Sequence, residues 1–375
     1  MARPFKPTFT KAEIEELRRY AMGVKLEVAW EGEKKKILTA ERDHLNVLVG
    51  AERLVLEHSH WQKPPGFRVV SVPDSQWATV EPDEDFQQLA YAWKHIHGVI
   101  GEFGYPTNTA TPSKCLGVRL NAFYQAYEPL MTGYQHELMA SKAMRNDEIH
   151  DLEYRLKQGF EDYQHTLQSQ QTARAIEQAK INANRNRRSL THYVEALFDV
   201  YPSLYVVHLD LGYDVFARAN ILKASYTRLR EDLRTLFYAR HRNPLWKDDL
   251  VGHIWKIEDA PQRRFHAHLL LFYKGSTAEQ HQEDVTHLQN RWIREITHQE
   301  GACFARLNLE GEPPVWVPEN TGYLIEKEDT ETLGELTNYL HYLIKVDQLF
   351  GLEAGPKSYV FAKGNTPRRP AGDTP

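Results

Sequence analysis

The sequence predicts an α+β protein in which a mainly helical N-terminal domain precedes an antiparallel sheet with flanking helices. Helical apolar spacing dominates the first 200 residues, β-rich segments begin at Leu204, and two of these segments are joined by a short turn. The chain has 375 residues, which is too long for one ordinary domain, and 41% of them are hydrophobic. We therefore expect two domains, each with its own core.

Composition excludes several classes of protein. The longest apolar runs are short and the first residues lack an apolar signal core, so we expect a cytoplasmic protein with no membrane partner. Two cysteines, Cys115 and Cys303, cannot form a disulfide framework or a four-cysteine zinc site. The net charge of −5 weakly opposes a nucleic-acid partner, but it hides local basic runs.

Residues 1–129 are predicted to form the mainly helical domain. The predicted helices are "TKAEIEELRRYAMGV" with Thr10 as N-cap, "TAERDHLNVLVGAERLVLEHSHWQ" and "DEDFQQLAYAWKHIHGVIGEFG". The last two carry the pairs His58/His60 and His95/His97. Side chains two residues apart on a helix do not share a face, so we expect neither pair to chelate a metal.

Residues 130–187 are predicted to form a long amphipathic helical connector. No proline occurs from Leu130 to Tyr201. One apolar stripe follows the 3–4 spacing of an amphipathic or coiled-coil-like helix: Ile149, Leu152, Leu156, Phe160, Tyr163 and Leu167. This stripe either packs on the N-terminal domain, which we favour, or pairs with a second copy of the chain in a homodimer.

Residues 188–352 are predicted to form the α+β domain, and residues 353–375 a flexible tail. The predicted strands are "LYVVHLDLGY", "LVGHIWKIED" and "FHAHLLLFY". The predicted helices are "VFARANILKASYTRLREDLRTLFYARHR", "TAEQHQEDVTHLQNRWIREITHQ" and "TLGELTNYLHYLIKVDQL". The order β-α-β-β-α-(β)-α predicts an antiparallel sheet covered by helices on one face.

The predicted strand "RRFHAHLLLFYKG" carries His266 and His268, which face the same way because strand side chains alternate. A chain with 18 histidines contains about one His-x-His by chance, and this one has three, so spacing alone proves nothing. Only this pair lies on a predicted strand. If the hairpin loop is Asp259 to Arg263, Glu258 pairs with Arg264, so that it shares the face of the two histidines and lies diagonal to His266.

Two imidazoles and one carboxylate suit Mn²⁺, Mg²⁺ or Zn²⁺ with positions left open for water or substrate. No fourth protein ligand is apparent for a closed zinc site, so Mn²⁺ and Mg²⁺ are the preferred expectations. Asp210, on the first predicted strand, either touches the metal or caps a turn, and the sequence leaves both open.

The predicted helix "NYLHYLIKVDQ" carries Tyr339, Tyr342 and Lys345 at intervals of three residues. A tyrosine can act as a nucleophile toward phosphorus, and a lysine offers positive charge to a phenolate or a phosphate. The same spacing is also typical of a stripe that faces the core, which we expect for Leu336, Leu340 and Leu343.

This order of motifs resembles the HUH endonucleases, the rolling-circle replication initiators and relaxases. Their motifs are His-hydrophobe-His and Tyr-x-x-Lys, which His266-Ala267-His268 and Tyr342-Leu-Ile-Lys345 match, although Ala267 is smaller than the usual aliphatic residue. "VEALFDVYPSLYVVHLDLGY" and "YLIKVDQ" are similar to the gene-2-type replication proteins of filamentous phages (inoviruses) and related prophages. The resemblance covers roughly residues 188 to 350 and implies an antiparallel HUH fold with an RRM-like palm.

The resemblance implies a role for each matching residue. His266, His268 and Glu258 would bind the metal, Tyr342 would attack a DNA phosphate and become linked to the 5′ end, and Lys345 would support that site. Tyr339 is either a second nucleophile or a packing residue, and its spacing from Tyr342 favours packing.

The resemblance also implies single-stranded or hairpin origin DNA as substrate, with a host polymerase and helicase as partners in a bacterial host. From Arg218 to Arg242 there are seven Lys/Arg against two Asp/Glu, and "NANRNRRS" is also basic, although each run can be a solvated helix face. Tyr238 and Trp246 offer rings for stacking. The candidate DNA-binding residues are Arg228, Arg230, Arg234, Arg240, Arg242, Arg263 and Arg264.

The predicted function is therefore metal-dependent, site-specific nicking and joining of single-stranded DNA through a 5′-phosphotyrosine, which initiates rolling-circle replication of a phage, prophage or plasmid. One alternative is a catalytically silent HUH-type DNA-binding regulator. A second is a metal-dependent phosphodiesterase that uses water as nucleophile. A third is a helical scaffold whose function lies in the N-terminal half.

Overall fold

The computed structural model describes residues 48, 50–55, 58, 61, 63–71, 73, 75–102, 113–134, 141–213, 225–238, 249–260, 264–275, 278–305, 322–353 and 360–367. The predicted helix that begins near Thr10 lies outside these residues. Within the described ranges, no helix combines the length and the apolar character needed to cross a membrane.

The N-terminal part combines helices with a small sheet. Residues 50–55 are helical, followed by α1 (Glu84–Glu102) and α2 (Val118–Tyr134). Three short strands form an antiparallel sheet in the order β1–β2–β4: β1 (Phe67–Ser71), β2 (Trp77–Pro82) and β4 (Lys142–Arg145). The predicted helix at α1 is confirmed. The small sheet was not predicted, because strands of four to six residues give too short a pattern to recognise.

The predicted connector consists of two helices, α3 (Asn146–Gln168) and α4 (Gln170–Val200), after strand β4. They are separated at Ser169, whose side chain accepts a hydrogen bond from the Thr172 amide at 3.1 Å and so caps α4. The expectation of one long helix from Leu130 is therefore wrong. All six residues of the apolar stripe on α3 are buried within the chain, so they leave little apolar surface for a second copy.

The C-terminal part is built on a six-stranded antiparallel sheet. Its strands are β5 (Ser203–Tyr213), β6 (Leu250–Ala260), β7 (Arg264–Lys274), β8 (Gly301–Ala305), β9 (Gly322–Glu326) and β11 (Phe361–Lys363). The order is β11–β6–β7–β5. The remaining edge of β5 pairs with two short strands, β8 toward its C-terminal end and β9 toward its N-terminal end. Strand β11 lies within the stretch expected to be a flexible tail, so that expectation is wrong for residues 361–363.

Helices connect these strands in the predicted order, which confirms the α+β class. They are α5 (Tyr226–Tyr238), α6 (Ala278–Asn290), which continues into a π-helical turn (Arg291–Ile296), and α7 (Thr330–Leu349). After α7, the short strand β10 (Phe350–Glu353) pairs with β3 (Ser113–Leu116) and so ties the two parts of the chain together.

Helices cover both faces of the large sheet, not one face as predicted. On one face, Leu204, Val206 and Phe272 pack with α4 and α7, and on the other, Val207 and Leu271 pack with α5 and α6. We call these the α4/α7 face and the α5/α6 face. The physical reason is that every residue of β5 after Ser203 is buried, which is the continuous apolar pattern of a strand enclosed on both sides.

Candidate metal centre

Three of the predicted metal ligands meet on the α4/α7 face of the sheet. Glu258 on β6 lies directly opposite His266 on β7, and the ligand atoms of Glu258, His266 and His268 all lie within 4.8 Å of one another. The predicted pairing, which placed Glu258 opposite Arg264, is wrong by two residues because Ala260 pairs with Arg264 and the loop is shorter. A shift of two residues leaves each side chain on its face, so the grouping survives the error.

The imidazole of His268 lies between two carboxylates. Its Nε2 is 3.1 Å from Oε2 of Glu258, and its Nδ1 is 2.5 Å from Oδ1 of Asp210 on the neighbouring strand β5. Asp210 therefore contacts a candidate ligand directly. Together with His208, Asp210 and His268 form a second group whose ligand atoms lie within 4.8 Å.

The two groups differ in their access to solvent. His208, Asp210, His266 and His268 are at most 3% exposed, whereas the side chain of Glu258 is 24% exposed. Both groups could hold a metal ion, and the group containing Glu258 is the one with a partly exposed member. If the ion binds Nε2 of His268, Nδ1–H of the same ring donates to Asp210, which is the arrangement that commonly orients a histidine ligand.

Lys256 holds Glu258 in its ionised form. The buried Lys256 ammonium lies 2.9 Å from Oε1 of Glu258 and also donates a hydrogen bond to the Leu343 carbonyl on α7. Burial alone would raise the pKa of Glu258, but Lys256 and the imidazoles of His268 and His266 together hold that pKa well below its usual range. Glu258 is therefore an anionic ligand at neutral pH, as binding of a divalent cation requires.

Tyr339 on α7 is buried against the inner side of the cluster. Its hydroxyl group is hydrogen-bonded to Nε2 of His208 at 3.2 Å, and the two rings lie 5.2 Å apart. His208 in turn lies 3.5 Å from Oδ1 of Asp210. Because Tyr339 is only 2% exposed, a DNA phosphate cannot reach its hydroxyl group in this conformation.

Tyr342 and Lys345, the predicted nucleophile and its supporting lysine, belong to α7, and their side chains lie outside the described part of the structure. The backbone position of Tyr342 is nevertheless informative. It lies between Tyr339, which contacts His208, and Leu343, whose carbonyl accepts the hydrogen bond from Lys256. The helix that carries Tyr342 therefore contacts His208 through a residue before Tyr342 in the sequence, and Lys256 through the residue after it.

Among the described residues, the arginines predicted to bind DNA lie away from this cluster. Arg228, Arg230 and Arg234 lie on α5, which covers the α5/α6 face, opposite to the cluster. Arg228 pairs with Glu300 at 2.6 Å and lies over the ring of Tyr213 at 4.6 Å, so contacts within the protein engage it. Arg230, Arg234 and Tyr238 are exposed. Outside the described part lie Arg240, Arg242, Trp246, Arg263 and the side chain of Arg264.

Two of the histidines predicted to lie on helices are hydrogen-bonded to tyrosines of α2. Nε2 of His58 is 2.7 Å from the Tyr127 hydroxyl, and Nδ1 of His97 is 2.9 Å from the Tyr124 hydroxyl. Among the described residues, neither they nor His95 belong to a group that can hold a metal ion. His60 lies outside the described residues.

Sequence reasoning missed His208 and Lys256. The sequence did carry a signal for His208. It lies two residues before Asp210 on β5, the same spacing as between His266 and His268 on β7. No comparable signal marked Lys256, since a lysine in a strand is usually exposed and its burial depends on the helix packed above it.

No protein-family model, curated protein or solved structure matches this chain. The candidate centre therefore stands on its own geometry and on the sequence motifs.

Proposed function

We propose that the protein is a metal-dependent enzyme that nicks and rejoins single-stranded DNA at the replication origin of a phage, prophage or plasmid. The observation that carries the proposal is the grouping of Glu258, His266 and His268 on one sheet face, beneath the helix that contains Tyr342 and Lys345.

The metal ligands would be Glu258, His266 and His268, with Asp210 orienting His268. One carboxylate with two imidazoles suits Mn²⁺ or Mg²⁺ with open positions, and the ionised Glu258 fits a divalent cation. A bound ion would supply positive charge against the scissile phosphate.

Tyr342 would be the nucleophile. Its phenolic oxygen attacks phosphorus and loses its proton, while the bond from phosphorus to the 3′ oxygen breaks and that oxygen leaves as a 3′-hydroxyl after taking up a proton. The 5′ end is then held as a phosphotyrosine, and the free 3′-hydroxyl can prime a host polymerase. Attack by a new 3′-hydroxyl on the phosphotyrosine rejoins the strand and releases Tyr342. Lys345 would stabilise negative charge on the phenolate, whose ordinary pKa is about 10.

The enclosed hydroxyl group of Tyr339 supports this choice between the two tyrosines. It is hydrogen-bonded to His208 and has no access to a phosphate, so it fits a positioning role. Tyr342 follows it by one turn of the same helix.

The decisive experiment incubates the protein with single-stranded oligonucleotides that carry candidate origins in the presence of Mn²⁺. We expect a protein–DNA adduct that resists denaturation, maps to Tyr342 by mass spectrometry, and disappears in Tyr342→Phe and in His266→Ala. Tyr154→Phe is the matched control, because Tyr154 is 66% exposed on α3 and plays no part in the proposed site.

Other outcomes would replace the proposal. An adduct on Tyr339 would keep the enzyme class and reverse the roles of the two tyrosines. Cleavage without an adduct that persists in Tyr342→Phe would identify a phosphodiesterase that uses water. Tight DNA binding without cleavage of any origin sequence would identify a silent DNA-binding regulator.

A further inference from the structure

Helix α4 presents a row of arginines to solvent. Six of its exposed residues repeat at intervals of four and three and therefore lie on one face, which we call the arginine face: Arg174, Gln178, Ile181, Arg185, Arg188 and His192. From Arg174 to His192 this face extends about 27 Å along the helix axis. The opposite face of α4 is buried, with Ala183, Leu190 and Leu197 in the core.

Over most of its length, the arginine face has no acidic partner within the part of the chain that the structure describes. Between Glu177 and Glu195 the sequence contains four lysines or arginines and no aspartate or glutamate. Among the described residues, no carboxylate lies within ion-pairing distance of Arg174, Arg185 or Arg188, and all three side chains are exposed. On a chain with a net charge of −5, these three arginines form a local concentration of positive charge that no carboxylate of the described residues compensates.

The arginine face lies next to the helix of the proposed nucleophile. The Thr191 hydroxyl group on α4 is 2.9 Å from Nε2 of His341, the residue that precedes Tyr342 on α7. Arg188 precedes Thr191 by three residues, or about 4.5 Å along the axis. Helix α4 also packs on the sheet face that carries the metal-capable cluster, whereas the arginines of α5 lie on the other face.

We propose that the arginine face of α4 binds the phosphate backbone of double-stranded DNA, the duplex arm or flank next to the nicked strand. Duplex DNA carries a negative charge per about 1.7 Å of its axis, and an α-helix fits the major groove. No tyrosine, phenylalanine or tryptophan is exposed on α4, so the face lacks the large rings on which the bases of single strands stack. The apolar side of helix α4 is already buried in the core, so α4 cannot insert that side into a membrane surface.

This inference rests on the proposed function in one respect, the choice of DNA as the partner. It places recognition of the duplex on a helix that joins the two parts of the chain, and nicking of the single strand on the sheet beside it. The duplex-binding inference and the proposed nicking function can therefore be contradicted independently of each other.

The test measures binding of the full chain to a fluorescent duplex of about two helical turns, and to one of its strands, across a salt series in EDTA. The variant is Arg185→Ala/Arg188→Ala, in which alanine favours the helix, so the fold is retained and is checked by circular dichroism. The matched control is Lys157→Ala/Arg294→Ala, which removes two exposed positive charges elsewhere. We expect the variant to bind the duplex several-fold more weakly. The magnitude of the slope of log K against log salt should fall by about 2, because two phosphate contacts are lost. The control should bind like the unchanged protein.

Three results would overturn the inference: duplex binding equal to that of the unchanged protein, an equal loss in the control, or a loss confined to the single strand. The proposed function is judged separately. His266→Ala, which should abolish the adduct on Tyr342, should bind duplex normally, and a dependence of duplex binding on Arg185 and Arg188 would stand even if no adduct ever formed.

Discussion

At the scale of single residues, the candidate centre depends on how His268 is held. Its two ring nitrogens face Glu258 at 3.1 Å and Asp210 at 2.5 Å. Three adjacent strands, β5, β6 and β7, contribute one group each, so the ring has a fixed position before any ion arrives. Such prior positioning lowers the cost of binding a metal or a substrate.

Asp210→Asn should weaken Mn²⁺ binding by about 10- to 100-fold, because the amide no longer provides a carboxylate acceptor for Nδ1–H of His268. Isothermal titration calorimetry measures this directly. Asp259→Asn is the control, since Asp259 is also a buried aspartate but its side chain points to the opposite face of β6. Unchanged Mn²⁺ affinity in Asp210→Asn would contradict the role assigned to Asp210.

His58 should make the stability of the N-terminal part sensitive to acid. Burial lowers the pKa of His58 to about 3, and an unfolded histidine has a pKa near 6.5. Between these values the unfolded chain binds one more proton than the folded chain, so folding becomes less favourable as the pH falls.

Compared with His58→Gln, the unchanged protein should lose up to about 1.4 kcal/mol of unfolding free energy per pH unit below pH 6.5. Urea unfolding at several pH values measures the difference between the two proteins. Buried Glu52, whose pKa burial raises to about 7, is present in both and drops out of that difference. Parallel pH profiles would show that His58 is protonated in the folded state.

At the scale of secondary-structure elements, the packing of α3 on α2 depends on a glycine. A Cβ atom at Gly159 would lie 2.9 Å from Cδ1 of Tyr127 and 3.0 Å from the Ala126 carbonyl oxygen. The backbones of the two helices can approach this closely only because position 159 has no side chain.

Gly159→Ala should therefore lower the free energy of unfolding by about 1–3 kcal/mol, although alanine is the better helix former. Gly98→Ala on α1 is the matched control, because no heavy atom lies within 4 Å of its new Cβ, and it should raise the free energy by about 0.5–1 kcal/mol. Urea unfolding compares the two. Stabilisation by Gly159→Ala would mean that α3 can move away from α2 at little cost.

At the scale of the whole molecule, one hydrophobic core continues from the N-terminal helices to the sheet. It includes Trp93 on α1, Tyr127 on α2, Leu197 on α4 and Phe272 on β7. Helix α4 contributes to it from Ala183 to Phe198 and covers the same sheet face as α7. The sheet that carries the metal-capable cluster is therefore not independent of the helices that precede it.

A fragment that starts at Ser203 should fail to fold cooperatively, because the loss of α4 exposes Leu204, Val206 and Phe272 to water. A fragment that starts at Gln170 retains α4 and should unfold in one transition. Thermal unfolding and binding of a hydrophobic dye distinguish the two. Equal cooperativity in both fragments would show that α4 is dispensable for the sheet.

The sequence by itself determined the three long strands β5, β6 and β7, the helices of the C-terminal part, and which side chains share a strand face. Alternation along β7 placed His266 and His268 together, and a register error of two residues could not separate Glu258 from them. The order of strands and helices followed from local patterns of apolar residues, as did the predicted α1.

Only the tertiary structure decided what lies across those faces. The burial of Lys256, the contact of Asp210 with His268 and the placement of Tyr339 on His208 join residues far apart in the chain. Tertiary packing also decided that helices cover the second face of the sheet, and that the α5 arginines lie on the face opposite to the cluster. The physical reason is that a local pattern specifies the direction of a side chain from its own backbone, whereas its partners depend on how distant elements pack.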